Sequence, residues 1–379
     1  MPDKPISATM ADIARACGVS IQTVSAVVNE RAGISEETRR RVRAAMRDLD
    51  YQPNQHARTL RGFRNPMIGV IIPSITNPYF PELVRGIEDA ARLSGHGLFL
   101  CNDDYNEQKA LEYLAFIRSN HASGLIAAPG IMDTSEAIES QMLAFSRRNV
   151  PIVLFGPQRS GLPMTSIVVD ARAAVLAAAQ HLVDLGHSRI GMITPPEARA
   201  VAKERVEDFR TAFITLGQPL DPELILPGGF DMEAGAAGAE KLMALPRPPT
   251  AIIAANDLAA MGAIAWLQSH GRRVPDDVSV LGYDDIPFAR VFQPAITTVV
   301  QPIYEMGAAA MAAILTPPPA DETGGRSVWL TASLAVRQST GPCRQQPAQA
   351  GQSPDKKRKT AKNLETPREE RHDHEDYAP

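Results

Sequence analysis

Apolar positions along this chain change their period once, near residue 65, and the change separates two kinds of material. Over residues 9–50 they recur at helical spacing in three short runs, each preceded by a residue suited to cap a helix. Thr9 with Asp12 three residues on has the form of a capping box. Ser20 precedes a helix starting at Ile21, and Ser35 precedes Glu36 and Glu37, acids that favour a first helical turn. Only Cys17, Gly18 and Val19 separate the first two helices. In the third, Val42, Met46 and Leu49 make an apolar stripe while Arg39, Arg40, Arg41, Arg43 and Arg47 take the other faces. The prediction is an all-α module, residues 1–51, with a cationic exterior.

From Met67 onward short apolar runs alternate with longer helical stretches. MIGVII (67–72), GLFLC (97–101), GLIAAP (124–129), PIVLFG (151–156), SIVVD (166–170), RIGMI (189–193), TAIIAAN (250–256) and VSVLGYD (278–284) have the continuous apolar character of strands buried on both faces. Helices are predicted around 81–93, 107–118, 135–148, 171–185, 205–216, 234–244, 257–270 and 304–315. Strand and helix in alternation mean βαβ units and parallel sheets, with ligand crevices at the carboxyl ends of the strands. So many strands predict two sheets and an α/β fold of two subdomains. The expected division is 67–163 with 296–325, against 164–295 with 326–340. Residues 341–379, rich in Gln, Pro and charge, predict a disordered tail.

Composition agrees with the patterning and adds one asymmetry. At 379 residues the chain is long for one domain, and its apolar side chains are mostly aliphatic, with aromatics only 5%. The net charge of −4 hides a basic start: residues 1–64 hold 11 Lys/Arg against 7 Asp/Glu, the remainder 28 against 36. A basic module ahead of an acidic body points to nucleic acid at the front. Cys17, Cys101 and Cys343 form no CxxC or Cys/His cluster, so neither metal site nor cofactor is expected, and a reducing compartment fits. No signal-like or membrane-spanning apolar run is present, and the expected location is cytoplasmic, nucleoid-associated. In the tail, KKRK (356–359) is nearly balanced by acids, and RHDHED (371–376) lacks an ordered scaffold for a metal.

The segment ADIARACGVSIQTVSAVVN (11–29) supplies the parts of a helix-turn-helix: small Ala14 at the crossing, Gly18 for the turn, and Ile13, Val19, Val24 and Val28 for an inward face. The second helix then presents Ile21, Gln22 and Ala26 outward, with Ser20, Thr23 and Ser25 near phosphates. Gln22 has the two-pronged amide that pairs with adenine, and Ile21 and Ala26 suit a thymine methyl. An ordinary three-helix bundle with a polar surface has the same spacing. What separates the two readings is ATMADIARACGVSIQTVSAVVN followed by ISEETRRRVRAAMRDLDYQPNQHARTLRG, which closely resembles the headpiece of the LacI/GalR family of bacterial operator-binding repressors. The resemblance implies that Asn29 closes the recognition helix. It also implies that residues 52–66 are a hinge helix and linker whose Asn54, Ala57 and Leu60 lie at the minor groove, Leu60 as a wedge paired with its twin from a second subunit. Where many members carry Arg or His, this chain has Ala26, which shifts weight from direct reading toward operator deformation.

The body, through residue 340, resembles periplasmic sugar-binding proteins and the cores of that family, on IGVIIPSITNPYFPELVRGIEDAA (68–91), HLVDLGHSRIGMI (181–193) and TAIIAANDLAAMGAIAWLQSHGRRVPDDVSVLGYDDIPFA (250–289). Candidate effector-binding residues stand at strand ends: Asn77, Tyr79 and Phe80, then Asp103, Asn256, Asp257 and Asp284. Family positions add Arg205 and Phe230. After PIVLF the family commonly places Asp, whereas Gly156 and Pro157 follow Phe155 here, so effector identity does not transfer. The implied partners are double-stranded operator DNA, a sugar, sugar acid or nucleoside-like effector, and a second copy of the chain, with no membrane. A transport binding protein would share the body but not the headpiece. An enzyme would need a GxSxG, P-loop, HExxH or GxGxxG that the sequence lacks, and His187 reads as a strand-entry residue. No heptad follows residue 340, so no tetramerising coiled coil is expected.

Overall fold

The computed structural model describes residues 8–51, 65–128, 135–158, 163–197, 199–317 and 325–344. The hinge expectation, with Asn54, Ala57 and Leu60, lies outside the described residues, and so do residues 345–379 of the expected tail with its two motifs. The start of that tail is instead tied to the body, the Gly341 N–H donating to the Ser279 hydroxyl at 3.0 Å and the Cys343 N–H to the Leu185 carbonyl at 2.7 Å. Met1–Cys343 form one unit, and of the second, Arg344–Pro379, only Arg344 is described.

Helices α1 (Met10–Cys17), α2 (Ile21–Val28) and α3 (Glu36–Asp48) form the first module. Their starts are where the capping residues lie. The Thr9 hydroxyl accepts from the Asp12 N–H at 3.3 Å while the Asp12 carboxylate accepts from the Thr9 N–H at 2.9 Å. Ser20 and Ser35 cap the other two helices. Gly18, at φ 61°, takes the left-handed turn that lets α2 double back. Ile13, Ala14, Cys17, Val24, Val27, Val42 and Tyr51 make the core. Two expectations shift. Val27 rather than Val28 is buried on α2 with Val24, so the inward stripe leans to the i+3 side, and Val28, with Val19, packs only partly. Leu49 caps α3 and is 41% exposed, so the α3 stripe ends with Met46.

The body comprises β1 (Asn65–Ile72), α4 (Tyr79–Leu93), β2 (Gly97–Asn102), α5 (Glu107–Ser119), β3 (Ala122–Ala127), α6 (Glu136–Ser146), β4 (Ile152–Phe155) and β5 (Thr165–Asp170). It continues with α7 (Arg172–Asp184), β6 (Ile190–Thr194), α8 (Ala200–Thr215), β7 (Ile225–Pro227), α9 (Met232–Met243), β8 (Ala251–Ile253), α10 (Asp257–Ser269) and β9 (Ser279–Asp284). Last come β10 (Thr297–Val300), α11 (Ile303–Leu315), β11 (Arg326–Thr331) and β12 (Ser333–Ala335). One sheet has the order β11-β5-β4-β3-β1-β2 and the other β12-β10-β9-β8-β6-β7. All pairings are parallel except β10 with β12.

The fold class is thus the expected one, an all-α headpiece and a two-subdomain α/β core, but the subdomain boundaries move. β5 pairs with β4 and β11 with β5, so both belong to the first sheet, while β10 pairs with β9 in the second. Each crossing therefore falls one strand later than the expected 163, 295 and 325. The physical reason is that a strand buried on both faces bears no mark of which sheet it joins. The chain crosses from the carboxyl ends of β5, β10 and β11, after Asp170, Val300 and Thr331. Patterning also missed β7, β10, β11 and β12, three of them only three or four residues long, and β11 an edge strand with alternate exposed positions.

An apolar cluster runs through both subdomains, from Ile68, Val70 and Leu83 to Ile252, Ile264 and Ile303. Helices α4 and α11 touch backbone to backbone: a Cβ on Gly86 would run into the Tyr304 carbonyl, and one on Gly307 into that of Leu83. His187 is buried, hydrogen-bonded to the hydroxyls of Thr250 and Ser279 beside the start of β6. Among the described residues no helix is long and apolar enough to cross a membrane, and no group of three or more His, Cys, Asp or Glu is placed to hold a metal ion.

Candidate functional site

Two surfaces present chemistry, and the first is the outer face of α2. Ile21 is 52% exposed and Gln22 is exposed beside it, because burial of Val24 and Val27 turns the start of the helix outward. Ala26 is half-buried. Ser20 and Thr23 are joined hydroxyl to hydroxyl at 2.9 Å, and the Thr23 N–H donates to Ser20 at 3.0 Å. Asn29 donates through Nδ2 to the Ser25 carbonyl at 2.7 Å and to its hydroxyl at 3.3 Å. These two side chains close the helix on each other. No acid occupies the first turn of α2, which leaves its positive end open to a phosphate. Arg41, on α3, donates to the Cys17 carbonyl at 2.8 Å and fixes the turn from below.

The second surface is a cavity of about 500 Å³ between the sheets. Of the nine residues expected there, Asn77, Tyr79, Phe80, Arg205, Phe230 and Asp284 line it. Arg205 and Asp284 come from different elements, α8 and the carboxyl end of β9, and meet with Nη2 3.2 Å from Oδ1. Arg205 also donates to the Ala255 carbonyl, and its guanidinium lies 3.7 Å above the Tyr283 ring. Gln301 donates to the same Asp284 oxygen at 2.7 Å. Burial pushes the Asp284 carboxyl above its ordinary range, and Arg205 and Gln301 pull it back. Burial works against the charge on Arg205 as well, but Asp284 outweighs it and the guanidinium is held more firmly protonated. Tyr283 is pushed up to about 12, again by burial, so both ring hydroxyl and guanidinium keep their protons at any physiological pH.

Three expected residues do not line the cavity, and each has a structural task instead. The Asn256 side chain caps α10 by accepting from the Ala259 N–H at 2.9 Å and donates to the Phe230 carbonyl at 3.0 Å. Asp257, fully buried, accepts from the Ile286 N–H at 2.9 Å and from the Thr298 hydroxyl at 2.6 Å. Burial, with the nearby Asp284, raises its pKa to about 8. Asp103 is buried and accepts from the Tyr105 N–H at 2.9 Å. A polar residue after a strand is as often a cap as a ligand contact, and sequence position alone does not separate the two.

The polar lining residues that sequence reasoning missed are Tyr105, Arg199, Glu204, Asp208, Tyr283 and Gln301. Asp208 sits three residues beyond Arg205 on α8, a helical spacing already inside the helix predicted over 205–216, so the sequence carried the signal that would have found it. The walls differ in character. Charged side chains lining the cavity come from the second subdomain, whereas the first contributes Tyr79, Phe80, Tyr105, Leu154 and Phe155 with the amide of Asn77. Such a lining offers donors and acceptors to hydroxyl groups and flat apolar faces to a ring.

Comparison with known proteins bears on both surfaces. Residues 9–54 match the model for bacterial regulatory proteins of the lacI family, and residues 179–340 that for a periplasmic binding protein-like domain. The chain is 36% identical over 346 residues to the HTH-type transcriptional regulator DegA of Bacillus subtilis, covering 88% of this chain and 98% of that protein. Its structure is similar to the Lac repressor dimer bound to operator and the anti-inducer ONPF, with a TM-score of 0.76 and 28% identity over 89% of this chain and all of the other. A LacI family transcriptional regulator from Enterococcus faecium, with bound ribose, matches 73% of this chain and all of its own at a TM-score of 0.65 and 28% identity.

Proposed function

The chain belongs to the LacI family of DNA-binding transcriptional regulators, and from that premise we propose that it is a repressor that grips a palindromic operator as a homodimer and answers to a sugar or sugar derivative. It is a regulator and not an enzyme, as its relatives are. The observation that carries the reading is the joining, in one chain, of an outward Ile21–Gln22 pair on α2 to a cavity gripped by Arg205 and Asp284.

On the DNA side, Ser20 and Thr23 meet phosphates while Ile21, Gln22 and Ala26 meet base edges in the major groove. Ser25 and Asn29 support the helix from its far end. Asn54, Ala57 and Leu60 act in the minor groove, with Leu60 parting the central step. A dimer is required because one short helix reads only a half-site, and a two-fold operator needs two at fixed spacing. On the effector side, Asp284 accepts hydroxyl hydrogen bonds and Arg205 donates them, while Phe230 and the Tyr79–Phe80 pair cover apolar ring faces. Lac repressor bound to ONPF and the ribose-bound family member support a carbohydrate as the ligand class. Effector and operator are coupled because both depend on the relative position of the two subdomains, so each ligand shifts the affinity of the other by the same factor.

The test is a thermal-shift screen of the full chain against sugars, sugar acids and nucleosides. Each hit is then titrated into a fluorescence-anisotropy assay on palindromic DNA from the promoters next to the gene. A carbohydrate that raises the melting temperature and changes DNA affinity supports the reading. Binding of carbohydrate with no DNA affinity under any salt condition would overturn it in favour of a carrier protein.

A further inference from the structure

Arg199 and Tyr105 stand on opposite walls of the cavity. Tyr105 follows β2 in the first subdomain, and Arg199 immediately precedes α8 in the second. Both line the cavity, and the guanidinium carbon lies 4.4 Å from the ring centroid, within cation–π range. Among the described residues the Arg199 guanidinium makes no hydrogen bond or ion pair with a carboxylate, although Asp103 lies near enough for their charges to act on each other.

The loop that carries Tyr105 is built to aim it. Asp104 and Tyr105 have φ of 53° and 56°, a left-handed pair that non-glycine residues avoid unless the surroundings enforce it. The enforcement is visible on every side: the Asp103 carboxylate accepts from the Tyr105 N–H, the Asn106 N–H donates to the Asp103 carbonyl at 2.8 Å, and Asp104 pairs with Lys109 at 2.6 Å. Asp103 thus serves the loop, and it lies near enough to Arg199 for their charges to interact.

We propose that Arg199 and Tyr105 are positioning residues forming a latch across the cleft, one that stabilises the closed over the open arrangement of the subdomains. Tyr105 follows a strand of one sheet and Arg199 precedes a helix packed on the other, so ring and cation meet in the closed arrangement of the subdomains and separate in the open one. A contact made in one of two states shifts the population toward that state. The latch thereby sets how far the cleft is already closed before any effector arrives. The proposal rests on the reading of the cavity as the effector site, but its test uses no effector, so the two can fail separately.

The test measures cross-cleft distances by double electron–electron resonance on the full chain without effector. Nitroxide amino acids replace the exposed Glu112 on α5 and Lys203 on α8, which leaves Cys17, Cys101 and Cys343 native. Arg199→Gln and Tyr105→Leu should each enlarge a longer-distance population. The double variant should match the larger single effect, because each change removes the same contact. Tyr105→Phe, which keeps the ring, should restore the wild-type distribution. Unchanged distances in both single variants, additive effects in the double, or a Tyr105→Phe variant as open as Tyr105→Leu would each overturn the latch.

Discussion

Asp257 and Asp284 are both buried carboxylates at strand and helix ends, and the structure gives them opposite tasks. Asp284 has a cation beside it and a cavity before it, whereas Asp257 has only the neutral Ile286 N–H and Thr298 hydroxyl. With a folded pKa of about 8 against an ordinary 3.8, Asp257 holds its proton at pH 6–7 where the unfolded chain has lost it. Folding takes up a proton in that window, so stability falls as pH rises toward 8, by about 1.4 kcal/mol per pH unit for one fully linked proton. Asp257→Asn keeps the shape, since the amide oxygen can accept from Ile286 while the NH2 donates to Thr298. Urea unfolding between pH 5.5 and 8 should show the variant lacking this part of the slope, with its advantage over wild type growing as pH rises. Parallel profiles would mean Asp257 titrates normally. At the same scale, Gln22→Ala should cost about 1–3 kcal/mol of operator affinity at one base-pair position, measured by anisotropy on single-substitution operators. A uniform loss across all sequences would instead make Gln22 a phosphate contact. Which polar residues line the cavity was only partly legible: Arg205 and Phe230 came from family position, Tyr79 and Asp284 from strand ends. Asp103 and Asn256 share the same sequence setting and turn out to cap loops and helices.

At the scale of elements, the headpiece helices were readable because their signals are local. Thr9, Ser20 and Ser35 mark the starts, Gly18 the turn, and each does its work within four residues. The sheets were readable as strands but not as partners, since sheet membership is a long-range choice. β5 and β11 pair across more than 150 residues of chain, and nothing in SIVVD or RSVWLT names that partner. Short β7 and β12 carry too few residues for a period to appear. The hinge is the element on which the division of labour in DNA reading depends. With half-buried Ala26 in place of a longer donor on α2, Leu60 is proposed to carry much of the specificity through operator bending. Leu60→Ala should then lower operator affinity and reduce bending in a gel-shift assay with circularly permuted DNA fragments, while the melting temperature shift by effector stays unchanged. Wild-type affinity and bend angle would remove the wedge.

For the whole molecule the central claim is linkage: one chain carries a DNA reader and a ligand cleft, and the cleft's closure is what joins them. Two of the three crossings leave β5 and β10 beside cavity-lining Ala171 and Gln301, and we propose that a ligand held between Arg205 and Asp284 acts through them on the relative position of the two sheets. The most direct measurement is operator affinity of wild type and Asp284→Ala, each with and without a saturating carbohydrate hit from the screen. The account predicts that wild type changes its operator affinity by roughly 5–150-fold on adding ligand, and that Asp284→Ala binds the operator as wild type does without ligand but no longer responds. A wild type whose DNA affinity is indifferent to bound ligand, or an Asp284→Ala variant that responds in full, would contradict it.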